Sequence, residues 1–488
     1  MTEHFDVVVV GAGISGIGTG YHLQTRCPDR SYVILEARAA MGGTWDLFRY
    51  PGIRSGSDMH TLGFSFHPWT QAKAIADGPS IRAYVHETAH AYGIDRHIRF
   101  GTRVLGASWS TPDARWTVEA ETSAGTMTYT CDFLSMCSGY YSYDKGHTPT
   151  FAGSEAFAGR IVHPQHWPDD LDYAGKRVVV IGSGATAVTL VPEMAKGAVH
   201  VTMLQRSPTY VVSRPAEDAW ANRLRRLLPG KLAYDVTRWK NVLLGMFFYR
   251  LTRKRPEKTK ERLLGMVREH LGPDYDIATH FTPRYNPWDQ RLCLVPDADL
   301  FDAIKAGSAE VVTDTVDRLV PDGVLLTSGK TLPTDVIVTA TGLQLSLMGG
   351  VPLTVDGVPV NLADHLQYKG MMFSDIPNMT FTFGYTNASW TLKADLVAKY
   401  VCRLLNTMRK RGVRIATPHN ADTTMAAEPF VDFSSGYIQR AAATLPKQGA
   451  RKPWKLNQNY ALDVMALRFG SVDDAMRFTN PDRMREAA

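Results

Sequence analysis

Two glycine-rich turns, 171 residues apart, constrain this chain more than any other feature of its sequence. The first spans residues 11–16 (Gly-Ala-Gly-Ile-Ser-Gly) and the second spans residues 182–187 (Gly-Ser-Gly-Ala-Thr-Ala). Each follows a short apolar run, which predicts a strand, a tight turn and the start of a helix. Glycines at such a turn let backbone N–H groups approach a pyrophosphate at the helix N-terminus. The chain is therefore predicted to contain two dinucleotide-binding units.

The residues that end the second strand of the two units carry opposite charges. Glu36 follows the first turn and Arg206 follows the second. A carboxylate there accepts hydrogen bonds from an adenosine ribose, whereas a guanidinium pairs with a 2′-phosphate. Either motif alone also fits an ordinary strand–helix turn, but the pair predicts FAD or NAD at the first site and NADP at the second. The expected cofactor contacts are Gly11, Gly13, Ser15, Gly16 and Glu36, and then Gly182, Gly184, Thr186, Ala187, Arg206 and Ser207.

Composition excludes several other classes of protein. A chain of 488 residues that is 44% hydrophobic and 21% charged is typical of a soluble protein with two or three domains. No apolar run reaches the ~18 residues of a membrane span, and no signal peptide is evident. The five cysteines are scattered without a C-x-x-C pair. They predict a cytoplasmic protein without a metal site and argue against a disulfide reductase, which needs a cysteine pair beside its flavin.

The order of the motifs predicts an α/β fold with two Rossmann-like dinucleotide-binding domains, the second of which contains a helical insertion. One buried strand is expected over residues 331–345. The predicted division is an FAD-binding domain (1–145 and 336–488), an NADP-binding domain (146–215 and 276–335) and the insertion (216–275).

The predicted insertion holds most of the basic charge. Residues 220–270 contain 14 Lys and Arg against four Asp and Glu, a local balance of +10, whereas the whole chain carries +6. The remainder is thus −4, which argues against a nucleic-acid-binding surface across the protein. The segment 241–251 is strongly apolar and is flanked by these cations. It predicts either an amphipathic helix packed on its own domain or peripheral contact with an anionic membrane.

Residues 157–168 read Phe-Ala-Gly-Arg-Ile-Val-His-Pro-Gln-His-Trp-Pro. This sequence matches the pattern F-x-G-x-x-x-H-x-x-x-W-P and resembles the fingerprint of type I Baeyer–Villiger monooxygenases. Residues 42–45 and 49–52 resemble a second fingerprint of that family, and the resemblance extends through residues 286–291 and 340–342. Residues 50–55 and 454–460 look like the ethionamide-activating branch. The matching fingerprint positions are Phe157, Gly159, His163, Trp167 and Pro168.

This resemblance implies that NADPH reduces FAD and that the flavin forms a C4a-peroxide with O₂. The peroxide converts a small hydrophobic ketone to an ester or lactone and, when protonated, oxidises sulfides or thioamides. Thr44 and Trp45 are expected to contact the cofactor, and Arg291 is the expected catalytic residue. A guanidinium stays ionised at any working pH, so it can stabilise a peroxide anion without exchanging protons. The fingerprint at 157–168 is expected to couple cofactor binding to domain movement.

Two positions depart from the family pattern. Gly56 stands where the family has an aspartate that orients the catalytic arginine, and Asp58 is the candidate replacement. Gln290 stands where some relatives have a lysine, so Arg206 and Ser207 are expected to recognise the 2′-phosphate, with Gln290 nearby.

Two alternative functions remain open. One is a flavin monooxygenase restricted to nitrogen or sulfur, although that class usually lacks the Trp-Pro that ends the fingerprint. The other is a non-oxygenating NADPH-binding redox sensor, which only Gly56 favours. Further candidates for the wall of the active site are Thr386, Asn387 and Trp390.

Overall fold

Two sheets, the first mixed and the second parallel, form the framework of the computed structural model, which describes residues 2–431 and 435–481. The first sheet is built around the strand Thr2–Val10, which pairs in parallel with Gly125–Met136 on one side and Tyr32–Leu35 on the other. The register aligns the last residues of all three strands. Their carboxyl ends therefore meet where the first glycine turn begins, which is the edge at which α/β sheets bind ligands.

Valine-rich strands explain why this sheet is central to its domain. Residues 7–9 are all valine and are fully buried, as expected for a parallel strand covered on both faces. The helices Ile14–Arg26 and Trp390–Arg411 pack against each other beside it. The strands follow in the order Val358–Pro359, Leu353–Val355, Arg103–Ser110, Arg115–Thr122, Gly125–Met136, Thr2–Val10, Tyr32–Leu35 and Ile98–Arg99, with Met379–Phe381 also pairing with Gly125–Met136.

The second sheet is parallel throughout its described strands, and the helix Ala185–Met194 follows its strand Arg177–Ile181. Together the two sheets confirm the predicted α/β fold with two Rossmann-like units. The strands follow in the order Ala309–Thr313, His200–Gln205, Arg177–Ile181, Val336–Thr339 and Arg160–Val162.

The structure corrects the prediction of a single strand over 331–345. Thr331–Pro333 ends an antiparallel sheet with Val316–Val320 and Gly323–Leu326, whereas Val336–Thr339 lies inside the second parallel sheet. Pro333 lacks the N–H that a continuous ladder needs, and the chain changes sheets immediately after it. The second sheet consequently extends four residues beyond the predicted boundary at 335/336.

Helices fill the segment predicted as an insertion. Gly230–Lys254, called the insertion helix below, lies between Ala219–Leu227 and Pro256–Leu271. None of the described helices is long and apolar enough to cross a bilayer. The other helices and short strand pairs are Thr44–Leu47, Met59–Leu62, Gly78–Ala91, Ile277–His280, Asp299–Lys305, Gly436–Ala441 and Tyr460–Asp463, and Val211–Arg214 with Cys293–Pro296, Gln367–Tyr368 with Met372–Phe373, Ile415–Pro418 with Met476–Thr479, and Ala427–Pro429 with Lys447–Gly449.

Candidate active site

A cavity of about 540 Å³ opens at the carboxyl edge of the first sheet. Both predicted dinucleotide units contribute to its wall, because Ala185 and Thr189 of the second unit face residues of the first. The predicted site residues in the wall are Gly11, Gly13, Ser15, Glu36, Thr44, Trp45, Arg291 and Trp390, and Gly56 lies among them.

Steric contact explains the glycines of the first turn. Gly11 has a φ of +101°, and a Cβ there would lie 2.8 Å from the carbonyl oxygen of Cys137. A Cβ on Gly16 would overlap the carbonyl oxygen of Gly11. Gly13 caps the helix Ile14–Arg26, and no side chain occupies its N-terminus. The turn therefore presents free helix N–H groups toward the cavity, which suits a pyrophosphate.

Glu36 sits directly beside this turn. Its carboxylate accepts hydrogen bonds from the backbone N–H groups of Ala12 at 2.7 Å and Arg38 at 2.9 Å. Burial raises the pKa of the Glu36 carboxyl, and these two N–H groups oppose that shift. The predicted ribose-binding carboxylate is thus held in place by the backbone of the turn itself.

Aromatic residues also line the cavity: Trp390 was a sequence candidate, whereas Tyr141 and Tyr143 were not predicted as site residues. The hydroxyls of Thr44 and Tyr141 are 2.7 Å apart, and the rings of Tyr141 and Tyr143 stack at 5.2 Å. Trp390 donates from its indole N–H to the Ser15 hydroxyl at 2.9 Å. Thr386 and Asn387 lie outside the wall and instead bind Gln458.

The second glycine turn is more open than the first. Gly182 has a φ of +142° and a Cβ there would overlap the carbonyl oxygen of Ala340, whereas a Cβ on Gly184 would meet no atom within 4 Å. Gly184 caps the helix Ala185–Met194, so unpaired N–H groups again point outward. Ala187 is buried in the core, and Thr186 approaches the hydroxyl of Tyr50 from the first domain.

Arg206 is exposed beside the second turn. Ser183 donates a hydrogen bond to the carbonyl oxygen of Ser207 at 3.1 Å, which ties the turn to the Arg206 segment. Within the described residues, no acceptor or carboxylate binds the Arg206 guanidinium. Burial lowers the pKa of Arg440, a residue not predicted from the sequence, and the charge of nearby Arg206 lowers it further. Two neighbouring guanidinium groups, with no carboxylate bound to Arg206 in the described part of the chain, suit the charge of a phosphate.

Arg291 reaches the cavity at Gly56. A Cβ built on Gly56 would lie 3.4 Å from Arg291 Nη2, so the guanidinium packs against the bare backbone of that glycine. Among residues 2–431 and 435–481, none accepts a hydrogen bond from Arg291. The guanidinium is therefore available to a ligand in the cavity.

Asp58 does not replace the missing aspartate in this structure. It caps the helix Met59–Leu62, where its carboxylate accepts hydrogen bonds from the N–H and hydroxyl of Thr61 at 3.0 and 2.8 Å. The side-chain amide of Asn241 occupies a third position at 3.0 Å. No ion pair joins Asp58 to Arg291 in the described part of the chain. Capping two residues beyond Gly56 thus directs this carboxylate away from the arginine.

The loop that carries Arg291 is fixed by contacts with the insertion helix. Asp289 accepts a hydrogen bond from the backbone N–H of Asn286 at 3.1 Å and pairs with Arg253 at 2.6 Å. The rings of Tyr249 and Trp288 meet edge to face at 5.6 Å. The backbones of Gln290 and Pro287 form an isolated β-bridge. The insertion helix therefore contacts the loop that carries Arg291 and also, through Asn241, the segment that carries Gly56 and Asp58.

The fingerprint residues lie around the edge strand Arg160–Val162 of the second sheet, and none of them lines the cavity. Phe157 packs in a small core with the second sheet, and a Cβ on Gly159 would overlap the carbonyl oxygen of Asp335. His163 accepts a hydrogen bond from the N–H of Gln165 at 3.1 Å, and burial lowers its pKa. Trp167 is half-buried against the apolar core beside the second sheet, and the carbonyl oxygen of Pro168 accepts a hydrogen bond from the N–H of Leu171.

No group of three or more His, Cys, Asp or Glu suited to a metal ion occurs among the described residues, and all five cysteines are buried as free thiols.

Comparison with known proteins agrees with this geometry. A model of flavin-binding monooxygenase-like proteins matches residues 64–241, and one of NAD(P)-binding Rossmann-like domains matches residues 9–78. The FAD-containing monooxygenase EthA of Mycobacterium tuberculosis (strain CDC 1551 / Oshkosh) is 57% identical over 98% of both chains. The probable FAD-binding monooxygenase AlmA of Acinetobacter baylyi is 47% identical over 98% of this chain and 96% of its own.

Solved structures share the fold. A steroid monooxygenase bound to NADP has a TM-score of 0.75 at 22% identity, covering 98% of this chain and 100% of its own. A cyclohexanone monooxygenase from Rhodococcus bound to NADP⁺ has a TM-score of 0.77 at 20% identity with the same coverage. The relationship predicted from the motifs is confirmed: this chain belongs to the family of FAD-containing monooxygenases.

Proposed function

We propose that this chain is an FAD- and NADPH-dependent monooxygenase that converts hydrophobic ketones to esters or lactones and oxidises sulfides or thioamides. The observation that carries this proposal is the Arg291 guanidinium, which faces the cavity at Gly56 and has no hydrogen-bonding partner among the described residues. A fixed positive charge beside a flavin stabilises negative charge that develops during oxygen transfer.

The residues of the first unit fit FAD. The bare helix N-terminus at Gly13 suits the pyrophosphate, and the Glu36 carboxylate suits ribose hydroxyls. Thr44, Trp45 and Ser15 would then border the flavin end of the cavity. A bound flavin supplies the activation of O₂, and the protein supplies orientation, charge and exclusion of water.

The residues of the second unit fit NADPH. Gly184 leaves its helix N-terminus open, while Arg206 and Arg440 offer two cations to a 2′-phosphate. Ser207 lies beside them, and Gln290 adds no charge. Because Ala185 shares the cavity wall with the first unit, the nicotinamide can reach the same space as the flavin.

The test is to incubate the purified holoenzyme with NADPH and phenylacetone, a long-chain 2-ketone or thioanisole. Products are identified by mass spectrometry, and H₂O₂ is assayed in parallel. We expect esters from the ketones and sulfoxide from thioanisole. NADPH oxidation that yields only H₂O₂ with every substrate would refute the proposal.

A second candidate is a monooxygenase that oxidises only nitrogen or sulfur. The observation in its favour is the absence of a carboxylate next to Arg291 in the described structure, since Asp58 is engaged by Thr61 and Asn241. Sulfoxide without any ester in the same assay would select this candidate.

A further inference from the structure

The insertion helix turns an apolar side outward, and the side that it buries contains polar as well as apolar residues. Its buried residues include Thr237 and Arg238, and the Arg238 guanidinium donates to the carbonyl oxygens of His60 and Gly63, both at 2.7 Å. Its outward residues are between 39% and 59% exposed: Leu232, Val236, Trp239, Leu243, Leu244, Phe247 and Phe248. Ordinary packing buries the large apolar side chains of a helix, whereas these seven stay exposed.

These seven side chains form one surface, called the apolar face below. Successive members are one, three or four residues apart, which places them along one side of the helix over a length of about 24 Å. The face continues onto the C-terminal region, because the rings of Trp239 and Tyr460 are 5.7 Å apart. The segment Val464–Phe469 then exposes Met465 and Phe469 at 62% and 64%. A contiguous apolar surface of this kind marks a binding site.

The charges around the apolar face indicate which kind of partner it binds. Arg250, Lys254 and Arg255 are exposed at one end of the helix, and Arg223 and Arg226 are exposed on the preceding helix. Residues 220–270 carry a balance of +10. A second copy of this chain would bring like charges together, whereas an anionic lipid surface is complementary.

We propose that the apolar face of the insertion helix docks on the surface of an anionic lipid bilayer. Its leucine, phenylalanine and tryptophan side chains enter the interface, and the flanking cations contact lipid phosphates. The insertion helix also binds Asp58 through Asn241, and Gly56 lines the cavity two residues away. Docking therefore brings the cavity wall next to the lipid. This inference goes beyond the proposed function, and vesicle binding is measured without turnover, so the two proposals fail separately.

The test is cosedimentation of the flavin-loaded protein with vesicles of phosphatidylglycerol and phosphatidylcholine, compared with phosphatidylcholine alone. We expect binding only to the anionic vesicles. The double variant Leu243→Gln/Phe247→Gln should reduce the partition coefficient by more than about tenfold. The double variant Arg250→Gln/Lys254→Gln should reduce it by about fivefold for each lost cation at low salt.

The matched control is Val358→Gln, which removes an apolar side chain of 66% exposure from the edge of the first sheet. It should bind vesicles like the unmodified protein, and all variants should retain flavin. Equal binding by Leu243→Gln/Phe247→Gln and the unmodified protein would overturn the proposal. So would absence of vesicle binding together with a stable oligomer that this double variant dissociates, because the apolar face would then join copies of the chain.

Discussion

Gly56 is the position where one substitution most sharply probes the role of Arg291. Its φ is not positive, and a Cβ there would lie 3.4 Å from Arg291 Nη2 without clashing. Gly56→Asp should therefore be accommodated and should place a carboxylate within ion-pair distance of the guanidinium.

The size of the effect follows from the charge pair. Opposite charges 4 Å apart attract by about 4 kcal/mol at an effective dielectric constant of about 20. Side-chain entropy and solvent leave about 1 kcal/mol for a pair this accessible. A free energy of that size increases the population of the oriented guanidinium about fivefold. We expect the ratio of ester formed to H₂O₂ released to rise by a similar factor.

The assay measures ester, H₂O₂ and NADPH consumption in the same reaction for the unmodified protein, Gly56→Asp, Gly56→Asn and Gly56→Ala. Alanine reproduces the steric contact, and asparagine reproduces the shape without the charge. If Gly56→Asp and Gly56→Asn gave the same ratio of ester to H₂O₂, the charge of this position would be irrelevant to coupling.

Three further predictions follow from other contacts. Arg206→Ala should lower the preference for NADPH over NADH, measured as the ratio of kcat/KM values, by about ten- to a hundredfold, and an unchanged ratio would remove Arg206 from the phosphate site. Arg238→Met should lower the free energy of unfolding by about 3 kcal/mol in denaturant titrations, because buried carbonyl oxygens lose a charged donor; a loss below about 0.5 kcal/mol would contradict this. Burial lowers the pKa of His22 and His163, so the unfolded chain binds protons first as the pH falls below about 6.5. The midpoint of thermal unfolding should therefore decrease from pH 7 to pH 5.5, whereas a flat or rising midpoint would show that these histidines do not control stability.

Local sequence patterns were sufficient for the parts of the fold built from contiguous residues. The strand Tyr32–Leu35 ends directly before Glu36, and both glycine turns precede helices as expected. The capping role of Asp58 was predictable, because an aspartate directly before a short helix, with Thr61 three residues later, is typical of a helix N-cap.

Long-range contacts could not be predicted in the same way. Arg440 approaches Arg206 only because the helix Gly436–Ala441 folds back toward the second unit. Periodicity predicted a helix at residues 241–251, but it did not show which face turns inward. The inward side includes Arg238, whose guanidinium binds the backbone carbonyl of His60, some 180 residues earlier in the chain.

The central claim is that a guanidinium at Arg291 directs oxygen from the flavin site into an organic substrate. The most direct measurement supplies ¹⁸O₂ and NADPH to the holoenzyme with phenylacetone and follows the label by mass spectrometry, for the unmodified protein and for Arg291→Ala. The account predicts one ¹⁸O atom per ester from the unmodified protein, and NADPH oxidation with H₂O₂ but no labelled ester from Arg291→Ala. Labelled ester in equal yield from both proteins would contradict it.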